Sequence, residues 1–206
     1  MLLLDLLYNS ALLVLLAVAY DLLGLFRARR SPLRNLAAGL FFGIASIIAM
    51  MTPVELAPGV IYDGRSIILT VAGLFGAAPG GILAAVFAGT YRIYLGGAGA
   101  MAGVATIVTS AAVGVLVHYL RRRDERWVGI PALLAVGLGV HLLMLLYQRV
   151  LLPGSLGTEA LRTVGVSVLT IFPVAFVLVS RIFVDRERKI RVQREKWTAD
   201  EMYRNL

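Results

Sequence analysis

Asp63, Arg65 and Arg92 stand in the stretch Pro58–Gly103, PGVIYDGRSIILTVAGLFGAAPGGILAAVFAGTYRIYLGGAGAMAG, which is apolar enough for a membrane and punctuated by glycine. An arginine at the centre of a bilayer helix costs about 2.5–3.5 kcal/mol on insertion scales, so two of them call for a function. The guanidinium is a planar fork of donors that matches a carboxylate in bidentate fashion. Arg65 follows Asp63-Gly64 at an expected helix start, where unpaired N–H groups and the helix dipole favour an anion. Arg92 closes the paired helix before Gly96-Gly97-Ala98-Gly99, a turn that lets backbone approach a ligand closely. A further helix starting near Ala100 adds another set of free N–H groups. Such an arrangement would cage a small carboxylate, with Thr106 and Thr109 donating hydroxyls to a second polar group. The competing readings are structural. Arg65 would snorkel to an interface with Asp63 or Glu55 as partner, and Arg92, between Tyr91 and Tyr94, would join an interfacial aromatic belt.

The elements that must position these residues are membrane helices. Of the 206 residues, 59% are hydrophobic, beyond an ordinary soluble domain, and several runs approach the roughly 20 apolar residues that one span needs. The net charge of +8 would suit nucleic acid, but the basic residues cluster at Arg27–Arg34, Arg121–Arg126 and Arg181–Lys196, each just after an apolar run. That placement follows the positive-inside rule, and nucleic acid is not expected as a partner. The chain has no cysteine, hence no disulfide framework or thiolate chemistry.

The expected spans are Leu2–Phe26, interrupted by Asp5, Asn9 and Asp21; Leu36–Met51, stopped by Pro53 and Pro58; Met101–Leu120; Val128–Leu152; and Val164–Val184, after a loop PGSLGTEALR. Between the second and third lie two short segments, Ser66–Ala77 and Pro79–Ile93, joined by Gly76-Ala77-Ala78-Pro79-Gly80-Gly81. They form a hairpin that crosses the bilayer or re-enters it, and either way Arg65 and Arg92 return to one side. The fold expected is therefore an all-α polytopic membrane protein of about seven helices, five full spans plus a short Gly-rich hairpin. The N-terminus is outside, the C-terminus cytoplasmic, and the Glu55–Arg65 and Ile93–Gly99 loops outside. Residues 1–184 form the membrane domain. Residues 185–206 form a cytoplasmic helix stub in which Phe183, Ile190 and Trp197 recur every seven residues, a short coiled-coil pattern that would pair two copies.

Little else carries chemistry. Gly73, Gly76, Gly80, Gly81 and Gly89 read as close helix packing. His118 and His141 lack companions at metal-ligand spacing and read as packed or internally hydrogen-bonded. With no nucleophile–base pair, phosphate loop or metal motif, neither a cofactor nor catalysis by this chain is expected.

The residues Asp63-Gly64-Arg65, the glycine-rich hairpin, and Arg92 before Gly96-Gly97-Ala98-Gly99-Ala100 resemble, in that order, the membrane domain of the LytS/YhcK-type five-transmembrane receptors. The match is strongest over Pro58–Gly114. The resemblance implies a receptor in the inner membrane of a bacterium, upstream of a histidine kinase or diguanylate cyclase, as in two-component signalling. Some members sense pyruvate through two arginines, which correspond to Arg65 and Arg92, with Gly103 and Thr106 nearby. In those members a cysteine occurs near the position of Gly103. The final ADEMYRNL looks like the approach to a further domain. The expected ligand set is then Asp63, Arg65, Arg92, Gly96, Gly97, Gly103 and Thr106, holding a pyruvate-like carboxylate. The alternative is the substrate-binding component of a small-solute transporter, for which short Gly-rich helices are also suited.

Overall fold

The computed structural model describes residues 15, 18–20 and 32–204; the first expected span, with Asp5, Asn9 and Asp21, falls almost wholly outside them. Helix α1 covers Pro32–Met51. Its first residue is a proline, whose fixed φ suits that position, and it stops two residues before Pro53. The segment read as a helix stop and loop then forms a small antiparallel hairpin, β1 Val54–Ala57 and β2 Val60–Tyr62. Val54 lies opposite Tyr62 and Glu55 opposite Ile61. Gly59 makes the turn at φ 76°, a left-handed conformation that costs glycine nothing, and the Glu55 carboxylate accepts its N–H at 3.0 Å. The fold is thus helical with one β-ribbon, which the expected all-α class did not include.

Helix α2, Arg65–Leu95, is two limbs. The chain breaks helical geometry at Ala77 (φ 54°, ψ −163°) and reverses: a Cβ on Gly81 would lie 3.0 Å from the Cα of Gly73. In an unbroken helix residues eight apart are about 12 Å distant along the axis. The reversal returns Arg92 to the end of the molecule where Arg65 begins, as the hairpin reading required. The tip at Ala77 sits with Asn35, His118 and Arg121, so the limbs run from the β-ribbon end of the bundle to its basic end.

Helix α3 covers Ala100–Arg123. A 3-10 turn follows at Glu125–Val128, where Asp124 accepts the Arg126 N–H. Helix α4 is Ile130–Leu151. Helix α5 runs unbroken over Leu156–Arg204, so most of PGSLGTEALR is helix, and the last span and the charged tail are one rod of about 74 Å at 1.5 Å per residue. Five helices among the described residues are long and apolar enough to cross a membrane. The protein is a multi-pass, helical membrane protein.

Packing divides the bundle. Helix α2 lies against α1 and α3, and α4 against α5. Small residues set the first spacing: Cβ atoms on Gly73 and Gly114 would meet the backbone of α3 and of Thr70 at 2.5 and 2.1 Å. Gly89, by contrast, faces open space, with nothing within 4 Å, so close packing does not account for it. Phe183 is completely buried, its ring 4.9 Å from Phe75 and 5.8 Å from Phe42. It belongs to the protomer's own core. A seven-residue seam for a second copy therefore cannot start there; Ile190 is half-buried, and Trp197 is 77% exposed.

Candidate functional site

The β-ribbon ends at Tyr62, and the next three residues turn the chain into α2. Asp63 fills the place where a helix leaves its first N–H groups unpaired. Its carboxylate accepts the Arg65 N–H at 2.9 Å and the Arg65 Nη1 at 2.6 Å, and both residues are buried, with 3% and 6% exposure. The helix start expected to hold a ligand anion already holds this one. Arg65 is not snorkelling, and Glu55 is not its partner.

Arg92 is 1% exposed, so it points inward rather than into an interfacial belt. Tyr94, 83% exposed, takes the outer position. Arg92 donates from Nη1 to the Gly96 carbonyl at 2.7 Å and from Nη2 to the Gly59 carbonyl at 2.8 Å. Three close approaches make room for it. Gly59 and Gly97, both at positive φ, touch so closely that a Cβ on Gly59 would be 2.5 Å from the Gly97 Cα. The Gly99 N–H also donates to the Gly59 carbonyl at 3.2 Å. A Cβ on Gly103 would meet the Arg92 Nε at 2.5 Å, so Gly103 is the cradle of the side chain.

Asp63, Arg65 and Arg92 lie within one another's electrostatic reach. Burial pushes the Asp63 carboxyl up, while Arg65, the N–H it accepts and Arg92 pull it back. The Nε atoms of Arg65 and Arg92 are buried without an acceptor among the described residues. Beside Arg92 opens a cavity of about 400 Å³, bounded by Met50, Pro53, Glu55, Ile61, Tyr91 and Gly96; Arg65 is not part of its wall. Thr106 and Thr109 spend their hydroxyl protons elsewhere, on the Ala102 and Ala105 carbonyls at 2.8 Å. Thr109 also meets the Tyr147 hydroxyl. Of the expected set, Asp63, Arg65, Arg92, Gly96, Gly97 and Gly103 meet at one end, and Thr106 is buried one turn deeper along α3.

Sequence reading passed over the polar contacts that join this end to α4. The Tyr62 hydroxyl donates to Gln148 Oε1, and burial raises the Tyr62 pKa. The Ser66 hydroxyl lies 3.0 Å from His141 Nε2, whose Nδ1 is 2.7 Å from the Gly137 carbonyl. Nδ1 thus donates, Nε2 accepts, and the imidazole is held as one tautomer by two partners, the internal hydrogen bonding expected of it. His118 is similarly placed, with Nδ1 2.8 Å from the Leu74 carbonyl. The available signal was spacing: His141 and Gln148 are seven residues apart, hence on one face of an otherwise apolar helix. Among the described residues no cluster of metal-binding side chains occurs.

No curated protein and no solved structure matches the sequence. A family model does: the five-transmembrane receptor domain of the LytS type, described as the 5TMR of 5TMR-LYT, matches residues 19–186. That range takes in the β-ribbon, the doubled-back α2, the buried arginines and the membrane part of α5, and the chain belongs to the LytS-type five-transmembrane receptor family.

Proposed function

We propose that this membrane sensor module binds a small monocarboxylate, pyruvate-like in size and charge, at its β-ribbon end. The observation that carries the reading is the buried group of Asp63, Arg65 and Arg92. With the carboxylate and both guanidinia charged, it bears one net positive charge out of water, an arrangement that one added anion neutralises. The two buried Nε–H groups want acceptors, and a carboxylate has two oxygens. The cavity beside Arg92 gives a route in.

The β-ribbon end faces outward from a bacterial inner membrane, with the basic end cytoplasmic. Drawing Arg92 toward a ligand loosens its hold on the Gly59 and Gly96 carbonyls, and with it the contact between the ribbon turn and the start of α3. The last turn of α3 carries Arg121, which is paired with Glu187 of α5 at 3.0 Å. Motion of α3 thereby reaches the long helix, which carries it to a histidine kinase or diguanylate cyclase, two modules pairing through their C-terminal helices. Ligand shifts this balance only by its unequal affinity for the two arrangements. Recognition and relay belong to this chain, and catalysis to the output domain.

A chimera in which α5 is fused in register to a histidine kinase tests the reading. Pyruvate or a close analogue added outside should change autophosphorylation, and Arg92→Lys, which keeps the charge but not the fork, should abolish the response. Output that ignores every small carboxylate, together with solute accumulation in vesicles carrying the protein, would replace sensing by transport.

A further inference from the structure

A second concentration of charge lies at the other end of the bundle. A cavity of about 640 Å³ opens among α1, the tip of α2, α3 and α5. Asn35, Ala77 and His118 belong to its inner wall, Arg121 and Arg122 to the α3 side, and Arg188 and Arg191 to α5. With Arg34, five arginines line it against two glutamates, Glu125 and Glu187. Solvation and the positive-inside rule explain basic residues after a span, but not their convergence from three helices on one concavity.

Among the described residues, two carboxylates serve three of these guanidinia. Glu187 is engaged by Arg121 at 3.0 Å. Glu125, in the 3-10 turn, is shared: Arg188 approaches it at 3.0 Å and Arg191 at 3.2 Å. One carboxylate thus serves two guanidinia, and Arg122 has no carboxylate partner among the described residues. A phosphate group sets its anionic oxygens tetrahedrally, two in a lipid phosphodiester and more in the free ion, and so can meet forks that converge from different helices, where a carboxylate's two oxygens lie in one plane.

We propose that this basic cavity is a second anion site, on the cytoplasmic side, which takes a phosphate group. The phosphate draws Arg188 and Arg191 away from Glu125. Since those two pairs are the ion pairs described between α5 and the 3-10 turn, occupancy unfastens α5 from that turn and leaves Arg121–Glu187 as its remaining ion pair to α3. The receptor then has two inputs on one helix, a carboxylate outside and a phosphate inside. This site does not depend on the carboxylate reading. Its phosphate can come from a soluble ion or from an anionic lipid headgroup, both of which reach this level of the membrane.

The test uses the full chain in nanodiscs of phosphatidylcholine, titrated with inorganic phosphate, and separately in nanodiscs containing phosphatidylglycerol. Trp127, in the same 3-10 turn as Glu125, reports by fluorescence. A saturable change with inorganic phosphate identifies a soluble ligand; a change only with phosphatidylglycerol identifies the headgroup. Either should weaken by about tenfold or more in Arg122→Gln/Arg188→Gln, fall with salt, and persist in Arg92→Lys. Glu125→Gln removes the competing carboxylate and should tighten binding several-fold, a gain that misfolding cannot mimic. No response in either membrane, or a response unchanged by both the arginine and the glutamate substitutions, overturns the proposal.

Discussion

Arg92 is fixed by two backbone carbonyls and a helix position with no side chain, so its orientation depends on glycines rather than on an ionic partner. A methyl group at Gly103 would stand 2.5 Å from its Nε and must displace it. Gly103→Ala should therefore cost about 1–3 kcal/mol as overpacking and, unlike most such changes, remove ligand binding with it. Thermal unfolding and carboxylate titration of the same variant check both halves. Asp63 works differently. It neutralises Arg65 and occupies the helix start, so of the two arginines Arg92 is the one with charge to spare for a ligand.

At the scale of elements, the doubled-back α2 brings the site together, and its tip is strained. Ala77 adopts φ 54°, ψ −163°, a region that costs a non-glycine residue about 1–3 kcal/mol. Ala77→Gly relieves that strain and gives back about 0.5–1 kcal/mol in chain entropy. The net gain of about 1 kcal/mol should appear as a Tm higher by about 2–4 °C. The limbs are in turn tied to α4. Ser66→Ala leaves His141 Nε2 as a buried acceptor without a donor, at a cost of about 1–3 kcal/mol, measurable by denaturant unfolding.

Much of this element scale was legible in the sequence. Glycine and proline at Gly76–Gly81 announce a reversal whatever the surroundings, and the order Asp63, Arg65, Arg92 fixes which ends meet. The β-ribbon was not legible, because Val54–Ala57 and Val60–Tyr62 are too short to show alternation, and Pro53 and Pro58 read first as helix stops. Nor could the sequence show that Asp63 would take the anion position at the start of α2. That depends on a side-chain rotamer, and Glu55, the other partner considered for Arg65, is turned by the ribbon toward Gly59. The unbroken α5 was hidden by Pro153 and Gly154, which mark a loop only four residues long before a helix resumes.

For the whole molecule, α5 is the rod that leaves the bundle, and charged contacts hold it at the exit. Glu125 has its pKa lowered from 4.5, first by its hydrogen bond and charge contact with Arg191, then by Arg188. A carboxyl depressed in the folded state contributes stability above its unfolded pKa and loses it as pH falls through the folded value. The fastening is thus complete at neutral pH and released only in acid below the ordinary carboxylate range. The residue is exposed, so the energy is small and the effect is local. Spin labels at Trp127 and Val192 should report a narrow distance distribution at neutral pH that broadens in acid, with Glu125→Gln broadened at both.

The buried, net-positive group of Asp63, Arg65 and Arg92 is proposed to receive a small carboxylate. Isothermal titration of purified protein with pyruvate and other acids of two to four carbons tests it most directly, with Arg65→Lys and Arg92→Lys as variants that keep the charge. The expected result is saturable binding of at least one such acid, lost or weakened by about tenfold or more in both variants, and unchanged in Arg122→Gln at the opposite end. Binding that survives both lysine substitutions, or no binding of any small carboxylate to the intact protein, would contradict it.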